Sequence, residues 1–362
     1  MSKPELIDQC TNVLRGHGPQ QSIKETLQTL ADALSGDEYG DNYGSGDYIA
    51  GFESEIATMF GKEAGVFMPS GTMAQQIALR IWCERASNFA IALHPSSHLI
   101  TAEHGGPLFM HNLRRLQFAS YESVSDRTLT VQDFEALGVQ PGAILTELPY
   151  RPLGGVLPTW DELSAITDWA EERGIPHHMD GARIWQCRLF YGKSYAEIAD
   201  LFDSVYVSFY KDLGGIAGSM LMGSEAFSAE ARVWLRRQGG NLVTQGPLVA
   251  AAKVGLERAL PQIDAWVAKA QEIASILTSF NEITINPDPP HVNMLRLFIR
   301  GDHKTLLERH NGLAKETGTF IFSGLSPSPV PGVATTEMMF FENAMSFDVG
   351  KLKPFVERLL DL

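Results

Sequence analysis

Cysteine is scarce. The 362 residues hold three, Cys10, Cys83 and Cys187, far apart and without the Cys-x-x-Cys spacing of a zinc or redox site, so no metal site is expected. A disulfide scaffold is excluded, and a reducing compartment is expected. Long apolar runs are missing too, with no stretch near the roughly 18 residues that a membrane helix needs. Residues 1–11 carry Lys3, Glu5 and Asp8 with no apolar segment behind them, so no secretory leader is expected and the cytoplasm is the expected location. Basic residues are the third shortage. Against 43 Asp and Glu there are 29 Lys and Arg, a formal charge of −14 that repels phosphate backbones and anionic surfaces, so neither nucleic acid nor membrane is an expected partner. Internal repeats and low-complexity tracts are absent as well, and nothing in the composition signals disorder.

What is present is the rhythm of an α/β fold. Apolar runs at Ala64–Met68, Phe89–Leu93, Leu116–Ala119, Ala143–Leu148, Pro176–Met179, Ser204–Phe209 and Ala217–Met222 read as a mostly parallel seven-stranded sheet. Helical spacing fills Gly71–Arg85, Thr159–Arg173 and Ala182–Tyr191. From Gln245 to Phe280 the helical period runs for roughly 35 residues, too long for one unbroken globular helix, so a break is expected. Beyond it, strands at Met294–Ile299, Thr319–Phe322 and Met338–Phe341 and helices at Lys304–Thr317 and Val349–Leu360 read as a smaller α+β domain. The expected division is an N-terminal arm and loop at 1–46, a large domain at 47–250 and a small domain at 251–362, with a helical connector from about residue 245.

Four segments could carry chemistry. Ser70-Gly71-Thr72 joins a strand end to a helical pattern; a helix start offers free N–H groups to a phosphate, or Ser70 simply caps the helix. Asp180, in Asp-Gly-Ala-Arg183, ends an apolar strand and wants a cation, either Arg183 or a protonated heterocyclic nitrogen. Lys211, in Ser208-Phe-Tyr-Lys211-Asp-Leu-Gly-Gly, follows a strand directly; partial desolvation would lower its pKa and make it a usable amine nucleophile, although most lysines are solvated. His98, ahead of Glu103 and Gly105-Gly106, can stack a flat ring on a ligand, act as a base, or be an ordinary loop histidine.

In chain order, Ser70-Gly71-Thr72, His98, Gly154-Gly155-Val-Leu-Pro158, Asp180 and then Lys211 31 residues later, the segments resemble the threonine aldolases and related β-eliminating lyases, pyridoxal-phosphate enzymes of fold type I. The resemblance implies that architecture, pyridoxal 5'-phosphate as cofactor, and a small amino acid as substrate. It implies that Lys211 joins the pyridoxal aldehyde, that Asp180 bonds the pyridine nitrogen, and that His98 stacks on the ring. Ser70, Gly71 and Thr72 would hold the phosphate, with Ser208 and Arg183 also at the cofactor. Arg183 would meet the substrate carboxylate too, and Tyr39 would approach from an N-terminal loop, often across a subunit boundary in a homodimer or homotetramer.

The departures fall on the substrate side. Glu147-Leu-Pro-Tyr150-Arg151 stands where the family has Glu-Asn-Thr-His-Asn, so Tyr150 replaces a histidine at the substrate hydroxyl. Thr336–Glu342 lacks the family's carboxylate-binding arginine, a role that Arg151 could take over. Cys10-Thr11-Asn12-Val13 replaces an Arg-Ser-Asp-Thr pattern, and Asn241-Leu242-Val243 lacks an arginine near the phosphate. The expected activity is cleavage of the Cα–Cβ bond of a β-hydroxy-α-amino acid to glycine and an aldehyde. The alternatives are β-elimination, transamination or racemisation of another amine, or a non-catalytic cofactor-binding relative.

Overall fold

The computed structural model describes residues 5–18, 21–118 and 126–361. Among them the strands are, in chain order, β1 (Asn12–Val13), β2 (Ala64–Met68), β3 (Ala90–Leu93), β4 (Arg114–Arg115), β5 (Ala143–Glu147), β6 (His177–Gly181), β7 (Ser204–Ser208), β8 (Ser219–Gly223), β9 (Ile283–Asn286), β10 (Met294–Arg300), β11 (Thr319–Phe320), β12 (Ser326–Pro327) and β13 (Val333–Met339). The chain divides into two compact units, one of Ser22–Tyr150 with Leu157–Pro261, the other of Met1–Gln21, Arg151–Val156 and Gln262–Leu362.

The larger unit holds a seven-stranded sheet in the order β2-β8-β7-β6-β5-β3-β4. Parallel pairing runs from β4 to β7, and β8 pairs antiparallel with both β7 and β2. Every residue of β5, β6 and β7 is buried, as expected of parallel strands covered on both faces. This is the fold-type I α/β architecture read from the sequence.

Two elements here differ from expectation, and the long helical run breaks as expected. The strand beside β3 is Arg114–Arg115 rather than Leu116–Ala119; the pairing ends where the Leu116 N–H donates to the Ile91 carbonyl at 2.8 Å, Phe118 is buried in a core cluster that Leu116 packs against, and Ala119 lies outside the described residues. The Ala182–Tyr191 helix is a 3-10 turn at Ile184–Gln186 and a short helix at Arg188–Tyr191, because buried Trp185 ties its indole N–H to the Ser208 carbonyl at 2.9 Å. The long helical run breaks at Leu260–Gln262, as Pro261 dictates. The division of the chain follows that break. The helix Gly246–Ala259 stays whole within the larger unit, which runs to Pro261, and the arm itself divides after Gln21.

The smaller unit has an antiparallel sheet in the order β12-β13-β10-β9 and a parallel β1–β11 pair. Its β13 runs from Val333 to Met339, ahead of the expected Met338–Phe341, because Phe340 leaves the ladder for the core and bonds Asn293. Gly154 and Gly155 turn there with φ +89° and +85°. A Cβ on Gly154 would stand 2.1 Å from the Asn286 carbonyl oxygen and 2.5 Å from the Arg296 nitrogen, both backbone. Gly332, at φ +73°, has nothing within 4 Å. Gly154→Ala should therefore cost about 3 kcal/mol, dihedral strain plus overpacking, against about 1 kcal/mol for Gly332→Ala. Urea unfolding of the two variants measures the difference; equal losses would mean that the close approach contributes nothing.

Candidate active site

At the carboxyl end of the sheet, where open α/β sheets bind ligands, register pairs Glu147 with Asp180 and Asp180 with Tyr206. Asp180 is buried, and its Oδ1 accepts the Ala182 N–H at 3.0 Å. Burial raises its pKa, opposed by the Lys211 ammonium. Lys211 follows β7 by three residues and is half-buried; burial lowers its pKa, Asp180 pulls it back up and the Arg183 guanidinium lowers it further. Arg183, little exposed, has Nε 3.5 Å from Oδ1 of the buried Asp212. The Ser208 hydroxyl donates to the Ala182 carbonyl at 2.8 Å, which fixes the end of β7 against the Asp-Gly-Ala-Arg turn.

The helix Gly71–Arg85 begins over the same end of the sheet. Ser70 caps it, its Oγ accepting from the Met73 N–H at 3.3 Å. The N–H groups of Gly71 and Thr72, in the first turn, have no carbonyl of their own helix behind them. Gly71 admits no side chain, since a Cβ would lie 1.8 Å from the Tyr206 hydroxyl oxygen.

His98 opens a short helix, His98–Thr101, and two carboxyl groups hold it. Its backbone N–H donates to Glu147 Oε1 at 2.9 Å, and its ring Nδ1 lies 3.3 Å from Glu103 Oε1. Glu103 is itself tied to Gln76 of the Gly71–Arg85 helix, 2.8 Å from Nε2 to Oε2. The ring is thus fixed at one nitrogen while 42% of the side chain stays open to solvent.

The beta-eliminating lyase family model matches residues 21–301. The chain belongs to the beta-eliminating lyase family. The chain is 34% identical to aldolase vrtJ of Penicillium aethiopicum over 241 residues, 65% of this chain and 61% of that protein, less than two thirds of its length. It is 28% identical to the low specificity L-threonine aldolase of Escherichia coli (strain K12) over 261 residues, 68% and 76% of the two chains. A crystal structure from Listeria monocytogenes EGD-E, proposed to be an L-allo-threonine aldolase, matches with a TM-score of 0.91 at 34% identity, covering 98% of this chain and 97% of that one.

Pyridoxal 5'-phosphate is the cofactor of this lyase, and the donor set fits it by kind. The helix start of Ser70, Gly71 and Thr72 could hold a phosphate, with Gly71 keeping the approach clear. Asp180 could pair with a protonated ring nitrogen, Lys211 could join an aldehyde, and His98 presents a flat ring. Among the described residues, no group of three or more His, Cys, Asp or Glu could hold a metal.

The expected substrate-side residues lie differently. Arg151 is taken: within the smaller unit its guanidinium makes a bidentate pair with Glu337, 2.8 Å from Nε and 2.9 Å from Nη2, so it is not the open carboxylate receptor that the sequence suggested. Tyr150 is 1% exposed and edge-on to His94, and burial pushes its phenol far above the usual range. It has no open face for a substrate hydroxyl. Tyr39 stands in its loop 84% exposed.

Sequence reasoning gave no role to Glu147, Glu103 or Tyr206. The signal for Glu147 was there, an acidic residue inside the apolar run Ala143–Leu148. Burial, with the neighbouring Asp180 charge, pushes its carboxyl up from 4.5 to about 7. The folded protein therefore keeps this proton to higher pH than the unfolded chain does, and loses stability as pH rises from about 4.5 to about 7. Glu147→Gln removes that dependence. In cofactor-free protein the variant, compared with wild type, should gain on the order of 1–3 kcal/mol between pH 5 and pH 8. Urea unfolding at both pH values reads this, and a difference that does not change with pH would show that Glu147 titrates normally.

Proposed function

We propose that the protein cleaves the Cα–Cβ bond of a β-hydroxy-α-amino acid, releasing glycine and an aldehyde. The observation that carries the reading is the meeting, at one end of one sheet, of the buried Asp180 carboxyl and the desolvated Lys211 amine. The resemblance to aldolases over most of the chain supports it. When bound, pyridoxal 5'-phosphate supplies the electron sink that lets a carbanion form at Cα.

The chain's own residues do the rest. Lys211 would hold the cofactor's aldehyde, and its amine, when free, would move protons at the substrate's Cα. Asp180 would face the ring nitrogen, and its burial beside Glu147 favours a cationic partner there. His98, braced by Glu103 and Glu147, would cover the ring face. Ser70, Gly71 and Thr72 would take the phosphate, with Ser208 holding the strand end below them. Arg183 meets the substrate carboxylate, with Arg151 committed to Glu337. A phenol is a poor base at neutral pH and this one is buried against His94, so Tyr150 packs behind the site without taking the β-hydroxyl proton.

In this reading the enzyme works in the cytoplasm as a homodimer or homotetramer. Phe109 and Tyr39, both 84% exposed, and Ile23, 81% exposed, are apolar side chains of the kind that a subunit boundary covers. Among the described residues no helix is long and apolar enough to cross a membrane.

Borohydride reduction of the loaded protein followed by peptide mapping should place the pyridoxyl group on Lys211, and its recovery on another lysine alone would overturn the assignment. Aldehyde and glycine should appear in equal amounts from threonine or phenylserine-type substrates. Asp180→Ala should lower turnover by about a hundredfold or more while the protein still folds. Release of ammonia and a keto acid in place of aldehyde would point to β-elimination.

A further inference from the structure

Tyr206 stands in the middle of β7, 2% exposed, where its neighbours Val205 and Val207 are purely apolar. Its ring packs in the cluster of Val66, Ala74, Ile77 and Leu221 beneath the Gly71–Arg85 helix. A phenylalanine would fill that volume equally well, so packing accounts for the ring and not for the hydroxyl. Burying a hydroxyl costs free energy that a partner must offset. The hydroxyl oxygen ends at the first residue of the helix, in the space that a Cβ on Gly71 would take, 1.8 Å from its position. Ser208 and Tyr210 lie within its hydrogen-bonding reach. The same spot thus collects the first-turn N–H groups of Gly71 and Thr72, the Ser70 hydroxyl and this phenol.

We propose that the Tyr206 hydroxyl is a phosphate-binding group of the cofactor site, donating to a phosphate oxygen from the sheet side of the helix start. The inference rests on the pyridoxal 5'-phosphate reading above. A phosphate dianion presents three oxygens with several lone pairs, more than two N–H groups saturate, and an O–H donated to an anion is among the stronger hydrogen bonds. Burial pushes the phenol pKa well above its usual value, so the group stays a donor across the working pH range. Gly71 and Tyr206 form a matched pair, because any side chain at position 71 would collide with the hydroxyl.

The test uses the full-length chain stripped of cofactor and titrated, by visible absorbance, with pyridoxal 5'-phosphate and separately with pyridoxal, which lacks the phosphate. Tyr206→Phe keeps the ring and removes one oxygen, so its melting temperature without cofactor should lie within about 4 °C of wild type. The variant should bind pyridoxal 5'-phosphate about tenfold or more weakly and pyridoxal as wild type does. Dialysis of the loaded protein should show correspondingly faster loss of cofactor. Equal weakening toward both compounds would make Tyr206 a framework residue and overturn the proposal, as would unchanged binding of both. If the variant did not fold, Tyr206→Met, which also removes the oxygen while filling the ring's volume, takes the same titration: loss of the wild-type preference for pyridoxal 5'-phosphate over pyridoxal would support the proposal, and a retained preference would overturn it. A wild-type chain that bound neither compound would instead refute the cofactor reading itself.

Discussion

Two carboxyl groups, Glu147 and Asp180, sit side by side on adjacent buried strands with little water to separate their charges. Both cannot ionise there without help, and much of the larger unit's chemistry is arranged around that constraint. Donors converge on each: the Ala182 N–H on Asp180, the His98 N–H on Glu147. The cation that offsets Asp180, Lys211, comes from the loop that follows β7, and Arg183, from the loop after β6, lies against Asp212. An amine drawn into this setting is desolvated and beside an anion at once, so burial lowers the Lys211 pKa while Asp180 pulls it back up.

The rest of β6 carries no charge. His177 and His178 precede Asp180, and burial holds both neutral, with pKa values pushed down to about 3. His177 is bonded by Thr146 and Thr167, His178 by Ser204 and Gln75. The strand therefore presents one potential anion, at its ligand-facing end, and polar but uncharged groups behind it.

What was legible in the sequence was local. Ser70-Gly71-Thr72 at a helix start, Asp180 at a strand end and Lys211 just past one are each defined by residues within a turn of themselves, and the structure brings them to one end of the sheet. Arg151 was not legible, because its partner Glu337 lies 186 residues away and an arginine in a loop reads as available. Tyr150 looked like a substitute for a polar residue, yet burial against His94 decides its surroundings. Tyr206 was invisible for the opposite reason: a tyrosine in an apolar strand reads as core, and only the contact with Gly71 singles out its oxygen. The run Leu116–Phe118 shows the same limit for the fold, since burial and strand pairing leave the same apolar trace.

The pairing of β1 with β11 also sets an order of events during synthesis. Asn12 and Val13 find their partners at Thr319 and Phe320, and Leu14 bonds the Phe320 carbonyl at 2.9 Å. At about 5–20 residues per second, the N-terminal segment waits roughly 15–60 s on the ribosome before its partner strand is even made. The larger unit is complete at Pro261 and can fold in that interval. The segment Asn12–Leu14 is thus placed late, and a nascent chain stalled between residues 261 and 319 would carry a folded larger unit with this strand still unpaired.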